Sequence, residues 1–533
     1  LAPSKPFHRP MRILKVVCAI AFLILLIEAW RFASLQTGGP PHMDLELTGG
    51  IPATLYLPGS GNPFFAVQPP PPDQRRPAVL LVHGFSSDRA LMSVLARRIA
   101  RNGYACLTID LRGHGHNRNP FARDFGAAEG LRQDLTTAVN FLRTSSYVDG
   151  SRIVVIGHSM GAGAALDYAT HDPNIKGSVM ISGGFLLDGP VHPRNALFIF
   201  AQNDPDFIQD SSKQIAGILA NNRSLELGKV YGDAANGTAL EAVRIPHTDH
   251  ITITRSTVAA TAILGWLDSI FGTQRTAPYR LETTRLSTAA VGMLAFLIVL
   301  IGIGQIAGAI APETLRRPSG LMMWLGLPAI AIALLIGMPF MAVGEPAYFV
   351  SLIVGDDLFA WLGLAGGAML ALMAARAEID WPHVTVGLRR TALAAFLAFG
   401  AIYALQMPFG EVFHTLAPTP ERLLAAIAGT AIVLPFFFSF EWLLRRGGLV
   451  ESTIACVIGR AVIIVMLIIG VSLRILPGVL MLTLSLMIFQ FIAFEIFAVS
   501  TYSRSNNLLV IALVESAWFA WIAAIAMPIT FMF

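Results

Sequence analysis

Charged residues are scarce in this chain of 533 residues, at 14%, whereas hydrophobic residues make up 54% and the mean hydropathy is +0.61. Soluble domains carry about 25% charged residues, so the composition excludes a wholly soluble chain and indicates a membrane protein with a soluble part. The formal net charge is only +4, and the sequence has no long basic run and no alternation of basic and aromatic residues. We therefore expect no nucleic-acid partner.

Cysteine is also scarce, with three residues, of which Cys18 and Cys456 lie within apolar runs. Only Cys106 lies outside these runs, so the soluble part cannot form a disulfide within itself. Cysteine usage therefore leaves the redox compartment open.

The apolar segment 11–30 begins the membrane part of the chain. Basic residues lie before it and at its start: Lys5, Arg9, Arg12 and Lys15. A positive flank stays in the cytoplasm, and the sequence lacks a small-x-small cleavage site after Trp30. We therefore predict an uncleaved transmembrane signal anchor, followed over 31–76 by a linker that is rich in glycine and proline and holds two short strands.

Strand and helix patterns alternate through residues 77–272. This alternation predicts an α/β domain with a mostly parallel sheet and helices on both faces. The predicted strands are 78–82, 105–109, 153–156, 176–181, 196–200 and 239–245, and the predicted helices are 88–101, 127–143, 159–171, 211–220 and 251–271.

A serine lies at a sharp turn near the middle of this region. Residues 153–156 are all β-branched, as in a buried strand, and they run into Gly157-His158-Ser159-Met160-Gly161. Small residues and helix formers follow, which predicts a tight turn from strand to helix. Such a turn tolerates almost no side chain beside the serine, exposes its hydroxyl, and directs a helix N-terminus at negative charge that forms there. Ser159 is therefore the candidate nucleophile.

The remainder of the chain is apolar and predicts a membrane domain of about eight helices over 286–530. The predicted spans are 286–310, 320–340, 358–376, 391–409, 422–444, 452–473, 477–499 and 507–530. One alternate set of loops is basic, with Arg316, Arg317, Arg376, Arg389, Arg390, Arg445, Arg446 and Arg504. The other set is acidic, with Glu345, Asp356, Asp357 and Glu411, although it includes Arg422 and Arg474. Because basic loops stay inside, we expect the soluble domain on the extracytoplasmic side of the plasma (inner) membrane.

Two groups of charged residues in the membrane half have more than one interpretation. The first group lies within the spans, where an unpaired charge costs at least about 2.5–3.5 kcal/mol: Glu441, Arg460, Glu495 and Glu515. Structural pairing of Arg460 with a glutamate is favoured over a functional site. The second group lies on the same side as Ser159 in this topology: Asp356, Asp357, Glu411 and His414. Solvated loop residues are favoured there over a site that faces the soluble domain.

Three segments of residues 77–272 resemble the α/β-hydrolase superfamily, in the order that the family has them. They are Val82-His83-Gly84-Phe85 at a strand end, Asp110-Leu111-Arg112-Gly113-His114-Gly115, and the Ser159 turn. The resemblance covers under half of the chain and implies an α/β-hydrolase fold that carries a serine, an acid and a histidine in chain order.

The resemblance also implies the roles of further residues. The acid follows the next-to-last strand, where Asp204 is favoured and Asp206 is the alternative. The base follows the last strand, where His250 is favoured over His247. Such a histidine takes the serine proton while the carboxylate fixes its tautomer. The implied oxyanion hole consists of the backbone N–H groups of Phe85 and Met160.

The family frequently inserts a cap domain before the acid strand, but the interval 182–195 is too short to hold one. A metal site is the alternative interpretation of Asp110, His114 and His116, but family members carry this loop without metal. We therefore expect no metal and no other cofactor.

These observations predict a membrane-embedded serine hydrolase that cleaves an ester or thioester, with lipid or acyl-linked substrates and membrane lipids as partners. An acyltransferase with the same three residues is one alternative. A transporter or scaffold with a non-catalytic hydrolase-like domain is another, although the presence of all three candidate residues favours an enzyme. The oligomeric state does not follow from the sequence.

Overall fold

The computed structural model describes residues 8–37, 39–59, 68–122, 126–183, 192–221, 225–311, 321–343, 350–376, 379 and 387–530. The chain divides into two compact units. The sheet unit comprises Arg31–Ser287, Phe409–Leu416 and Ala526–Phe533. The helical unit comprises Leu1–Trp30, Thr288–Pro408 and Ala417–Ile525. Two short segments from the C-terminal half of the chain thus belong to the sheet unit.

The sheet unit contains an eight-stranded sheet in the order β1-β2-β4-β3-β5-β6-β7-β8. The strands are β1 (His42–Leu47), β2 (Ile51–Tyr56), β3 (Arg76–Val82), β4 (Ala105–Ile109), β5 (Val148–His158), β6 (Gly177–Ile181), β7 (Ala196–Ala201) and β8 (Leu240–Ile245). Strands β3 to β8 are parallel, whereas β2 pairs antiparallel with both β1 and β4. The predicted mostly parallel sheet is therefore confirmed.

Helices connect the parallel strands of the sheet unit. They are α2 (Arg89–Arg101), α3 (Gly126–Thr144), α4 (Met160–His171), α5 (Asp206–Leu219) and α6 (Thr257–Phe271). Apolar side chains fill the space between sheet and helices, and the central strands β3 and β4 bury almost every side chain. These parallel strands end at the same edge of the sheet, so the loops that follow them meet there.

The structure differs from the sequence-based boundaries in two instructive places. The two short strands predicted within 31–76 are β1 and β2, but they extend the main sheet, because β2 pairs with the edge that β4 otherwise leaves open. Ala53 and Leu55 of β2 are completely buried as a result. The predicted helix 251–271 is two elements, a 3-10 turn (Thr252–Arg255) and α6, because the side chain of Ser256 caps Ala259 N–H. Most of the short interval 182–195 lies outside the described residues.

The described residues contain nine helices that are long and apolar enough to cross a membrane, as in a multi-pass membrane protein. They are α1 (His8–Thr37), α7 (Thr284–Ile310), α8 (Leu321–Val343), α9 (Gly355–Ala375), α10 (Leu388–Gln406), α11 (Pro420–Leu444), α12 (Leu449–Ser472), α13 (Leu484–Arg504) and α14 (Leu508–Ala526). The last predicted span, 507–530, is shorter in the structure because the chain leaves the helix after Ala526. Three of the charged loop residues that predict the orientation of the spans, Arg316, Arg317 and Glu345, lie outside the described residues.

The charged residues within the helical unit form one buried network. Arg460 donates to Glu515 at 2.6 Å, to Glu495 at 3.2 Å and to Glu441 at 3.3 Å. Arg445 joins the network by pairing with Glu441 and by donating to Glu495 at 2.8 Å. Four helices, α11 to α14, are thereby tied together, as the structural interpretation of these charges predicts.

The acidic residue Asp356 has a local role at the start of α9. It is buried, and its carboxylate accepts the backbone N–H groups of Val350 at 3.0 Å and Leu352 at 3.1 Å. Asp356 therefore stabilises a turn of the helical unit and is not a solvated loop residue.

Candidate active site

The Ser159 turn has the strained geometry that a strand-to-helix elbow requires. Ser159 lies between β5 and α4 with φ +54°, in the left-handed region that non-glycine residues rarely adopt. A β-carbon on Gly157 would overlap the carbonyl oxygen of Gly161, and one on Gly161 would overlap the carbonyl oxygen of His83. Only glycine fits at these two positions, which explains the Gly-x-Ser-x-Gly pattern.

A continuous hydrogen-bonded chain joins the three candidate residues Ser159, His250 and Asp204. Nδ1 of His250 donates to Oδ1 of Asp204 at 2.7 Å, because a carboxylate only accepts. Nε2 of the neutral ring is then the acceptor, and it faces the Ser159 hydroxyl oxygen at 3.0 Å. Asp204 and His250 are buried, with 4% and 6% of their surfaces exposed. This arrangement can remove the hydroxyl proton when the serine attacks an electrophile.

The second carboxylate oxygen of Asp204 is held by two other donors. It accepts the Ser182 hydroxyl at 2.6 Å and the backbone N–H of Ala201 at 2.7 Å. The carboxylate therefore cannot rotate away from His250 without breaking two buried hydrogen bonds. Ser182 directly follows β6 and was missed from the sequence, because a single serine after a strand carries no distinguishing pattern.

His158 directly precedes Ser159 in the chain and contacts the loop that carries His250. Its Nε2 donates to the backbone carbonyl of His250 at 2.7 Å. Burial, together with the nearby His250, lowers the pKa of His158 to about 3. The ring is therefore neutral near pH 7 and serves as a fixed hydrogen-bond donor. The sequence offered no signal for this contact.

The two predicted oxyanion donors come from two different elements, the loop after β3 and the start of α4. Phe85 follows β3, in a loop that turns sharply at Ser86 with φ +55°. A β-carbon on Gly84 would lie 2.9 Å from the β-carbon of Ser159, so this loop passes directly beside the nucleophile. Met160 is the first residue of α4, and the first N–H groups of a helix have no partner within the helix.

The alternative acid and base lie in different environments. Asp206 is exposed and begins α5, and His247 is exposed on the loop after β8. Neither side chain has the buried, hydrogen-bonded surroundings of Asp204 and His250. The structure therefore brings together the favoured pair of residues and leaves both alternatives at the surface.

The candidate metal ligand Asp110 is engaged within its own loop. Its carboxylate accepts the backbone N–H of Arg89 at 2.9 Å and that of His116 at 3.0 Å, and it pairs with the Arg89 guanidinium. No cluster of three metal-ligating side chains occurs in the described part of the chain. Asp110 thus links the start of α2 to the loop after β4.

Comparison with known proteins defines the class of this domain. A family model described as serine aminopeptidase, S33, matches residues 73–223. Cutinase 2 of Thermobifida cellulosilytica is 30% identical over 130 residues, which are 24% of this chain and 43% of that protein. Cutinase cut1 of Thermobifida fusca is 30% identical over 130 residues, or 24% of this chain and 35% of its own. The chain thus spans less than half of the length of these relatives.

One solved structure, of a hypothetical protein from Pseudomonas aeruginosa, aligns with 43% of this chain and 92% of its own. Its sequence identity is 14% and its TM-score is 0.30. From the family model, the cutinase relatives and the sheet topology together, the sheet unit is an α/β-hydrolase domain. The chain thus combines a domain that matches a serine-hydrolase family model over residues 73–223 with many apolar helices among its described residues.

Proposed function

We propose that this protein is a membrane-bound serine esterase that cleaves an ester or thioester through an acyl-enzyme on Ser159. The hydrogen-bonded chain from Ser159 through His250 to Asp204 is the observation that carries the proposal. The cutinase relatives, which are named for an esterase activity, support an ester rather than an amide as the preferred bond.

The acylation step uses these residues in turn. The Ser159 oxygen attacks the carbonyl carbon of the ester while His250 Nε2 takes the hydroxyl proton. The Asp204 carboxylate stabilises the imidazolium that forms, since its Oδ1 lies 2.7 Å from Nδ1. The tetrahedral intermediate then collapses, the carbon–oxygen bond to the alcohol breaks, and His250 returns the proton to the departing alkoxide. Water repeats the sequence on the acyl-enzyme and releases the acid.

Negative charge on the carbonyl oxygen is stabilised by the N–H groups of Phe85 and Met160 in this proposal. The position of Met160 at the first turn of α4 supports its role, because a helix N-terminus favours nearby negative charge. Loss of one donor of this kind typically lowers kcat by about 10²–10³-fold.

We further propose that the substrate is a lipid or another acyl compound that partitions into the membrane. Helices α1 and α7, which flank the hydrolase domain in sequence, are both apolar enough to span a bilayer. Tethering at both ends keeps the serine at high effective concentration near membrane-borne substrates.

Active-site labelling and substrate comparison test this function. A fluorophosphonate probe should label the full-length protein, and Ser159→Ala should abolish the label. Purified protein should hydrolyse p-nitrophenyl esters faster than the matching p-nitroanilides, and long-chain acyl esters should be accepted in detergent or vesicles. Equal labelling of Ser159→Ala would exclude Ser159 as the nucleophile, and faster cleavage of the anilides would indicate a peptidase.

A further inference from the structure

Two loops hold the proposed catalytic groups, and a third segment contacts both of them. The first loop runs from His83 to Asp88 and carries Phe85. The second carries His250 and continues into the 3-10 turn that ends at Arg255. The third is Val412–Thr415, which the sequence places between α10 and α11 but which belongs to the sheet unit.

Asp88 is the point at which the third segment meets the loop of Phe85. One carboxylate oxygen of Asp88 caps α2 by accepting the N–H of Ala90 at 2.9 Å. The other accepts the N–H of Thr415 at 2.6 Å and pairs with Nδ1 of His414 at 2.9 Å. Asp88 is completely buried, and although burial raises its pKa, the His414 and Thr415 contacts outweigh this and hold the pKa well below its usual range.

Arg255 is the point at which the same segment meets the loop of His250. Its guanidinium donates to the carbonyl of Val412 at 2.7 Å and lies over the ring of Phe413, 4.9 Å from the ring centre. Burial also lowers the pKa of the Arg255 guanidinium. Four consecutive residues therefore engage one side chain from each catalytic loop.

We infer that Val412–Thr415 is a positioning segment, which holds the oxyanion loop through Asp88 and the base loop through Arg255 in the geometry required for acyl transfer. The inference rests on the proposed function. It extends that function to a segment that lies more than 150 residues after Arg255 in the sequence. Asp88 lies three residues after Phe85, and Arg255 lies five residues after His250. A displacement at either attachment point therefore moves a proposed catalytic group through a short stretch of backbone.

Substitution of His414 tests the oxyanion side of the segment. His414→Ala removes one donor from Asp88 and leaves the α2 cap and the Thr415 hydrogen bond in place. We expect kcat on a short soluble ester to fall about 10- to 100-fold, since a misplacement of about 1 Å at a catalytic group costs up to about 10²-fold. KM should change little, because His414 has no proposed contact with substrate. His414→Gln retains an N–H donor and should restore most of kcat.

Substitution of Arg255 tests the base side of the same segment. Arg255→Met removes the bond to the Val412 carbonyl while keeping a long side chain, and Arg255→Lys keeps a donor. The first variant should lose kcat and the second should retain most of it. His414→Ala and Arg255→Met combined should lose less than the product of their separate effects, because both act through one segment.

A matched control is His171→Ala. His171 also faces an aspartate, Asp167, at 3.6 Å, but it lies at the C-terminal end of α4. This variant should keep the wild-type kcat. All proteins are measured as full chains in detergent, at equal concentration of folded protein judged by thermal melting, with p-nitrophenyl butyrate as substrate.

The outcomes separate the positioning role from the proposed function. If wild-type protein does not hydrolyse the ester, the proposed esterase activity fails and the inference fails with it. If wild-type protein is active and folded His414→Ala has the same kcat, only the positioning role is overturned. If His414→Gln is as impaired as His414→Ala, the hydrogen bond to Asp88 is not the cause. Should His414→Ala fail to fold, wild-type kcat in Arg255→Met would overturn the inference.

Discussion

The most discriminating substitution in the proposed active site is Asp204→Asn. The side chain keeps its size, so the buried loop after β7 should retain its fold. Two donors, the Ser182 hydroxyl and the Ala201 N–H, already point at one oxygen of this group at 2.6 Å and 2.7 Å. The asparagine oxygen must remain at that position, because an NH2 group there would face two donors.

The NH2 group of the asparagine consequently faces Nδ1 of His250. Nδ1 must then become an acceptor, which places the ring proton on Nε2, 3.0 Å from the Ser159 hydroxyl. In that tautomer His250 cannot take the serine proton. A wrong tautomer of this kind lowers kcat by about 10⁴-fold in a serine protease, which corresponds to about 5–6 kcal/mol of transition-state stabilisation. We expect a loss of that order here.

The assay is kcat on p-nitrophenyl butyrate, together with the rate of fluorophosphonate labelling and the thermal midpoint. Asp206→Asn is the matched control, because Asp206 is exposed two residues further on and should tolerate the change. Asp204→Asn activity within tenfold of wild type, in a protein that melts normally, would refute the assignment of Asp204 as the residue that orients His250. Loss of activity in Asp206→Asn alone would transfer that role to Asp206.

Three further predictions concern stability and topology. The pKa of His158 is about 3 in the folded state and about 6.5 when unfolded, so the unfolded chain binds more protons between these values. Stability should therefore fall as pH drops from 6.5 to 3, by up to about 1.4 kcal/mol per pH unit, and His158→Gln should flatten this dependence in thermal denaturation. Arg460→Ala should lower the thermal midpoint strongly, because losing one partner of a buried ionic network costs about 3–5 kcal/mol. Glu515→Gln should be tolerated far better, since three carboxylates face two guanidinium groups; equal destabilisation would contradict this. Asp73→Cys should react with an impermeant thiol reagent in intact cells, whereas Arg504→Cys should react only after permeabilisation, and the opposite pattern would invert the topology.

Local sequence carries much of what can be predicted about this protein. Local sequence specifies the elbow at Ser159 within about twenty residues. A buried strand precedes the serine, a glycine lies two residues away on either side of it, and a run of helix-forming residues follows. Apolar runs of membrane-spanning length likewise predict the nine apolar helices among the described residues, because backbone hydrogen bonds within a helix are local. The order of serine, acid and histidine was predicted from the family resemblance, and the described side chains of these three residues are joined by hydrogen bonds.

Contacts between distant parts of the chain could not be predicted in this way. The two short strands within 31–76 could be predicted locally, but the antiparallel pairing of β2 with β4 could not, because it depends on an open edge that only the assembled sheet presents. Ser182 and Thr415 are ordinary polar residues in sequence, and they acquire their roles from the buried carboxylates of Asp204 and Asp88. Thr415 and Asp88 are 327 residues apart, and their contact uses a backbone N–H that every residue except proline has. A backbone donor leaves no mark in the sequence, so packing alone selects which residue supplies it.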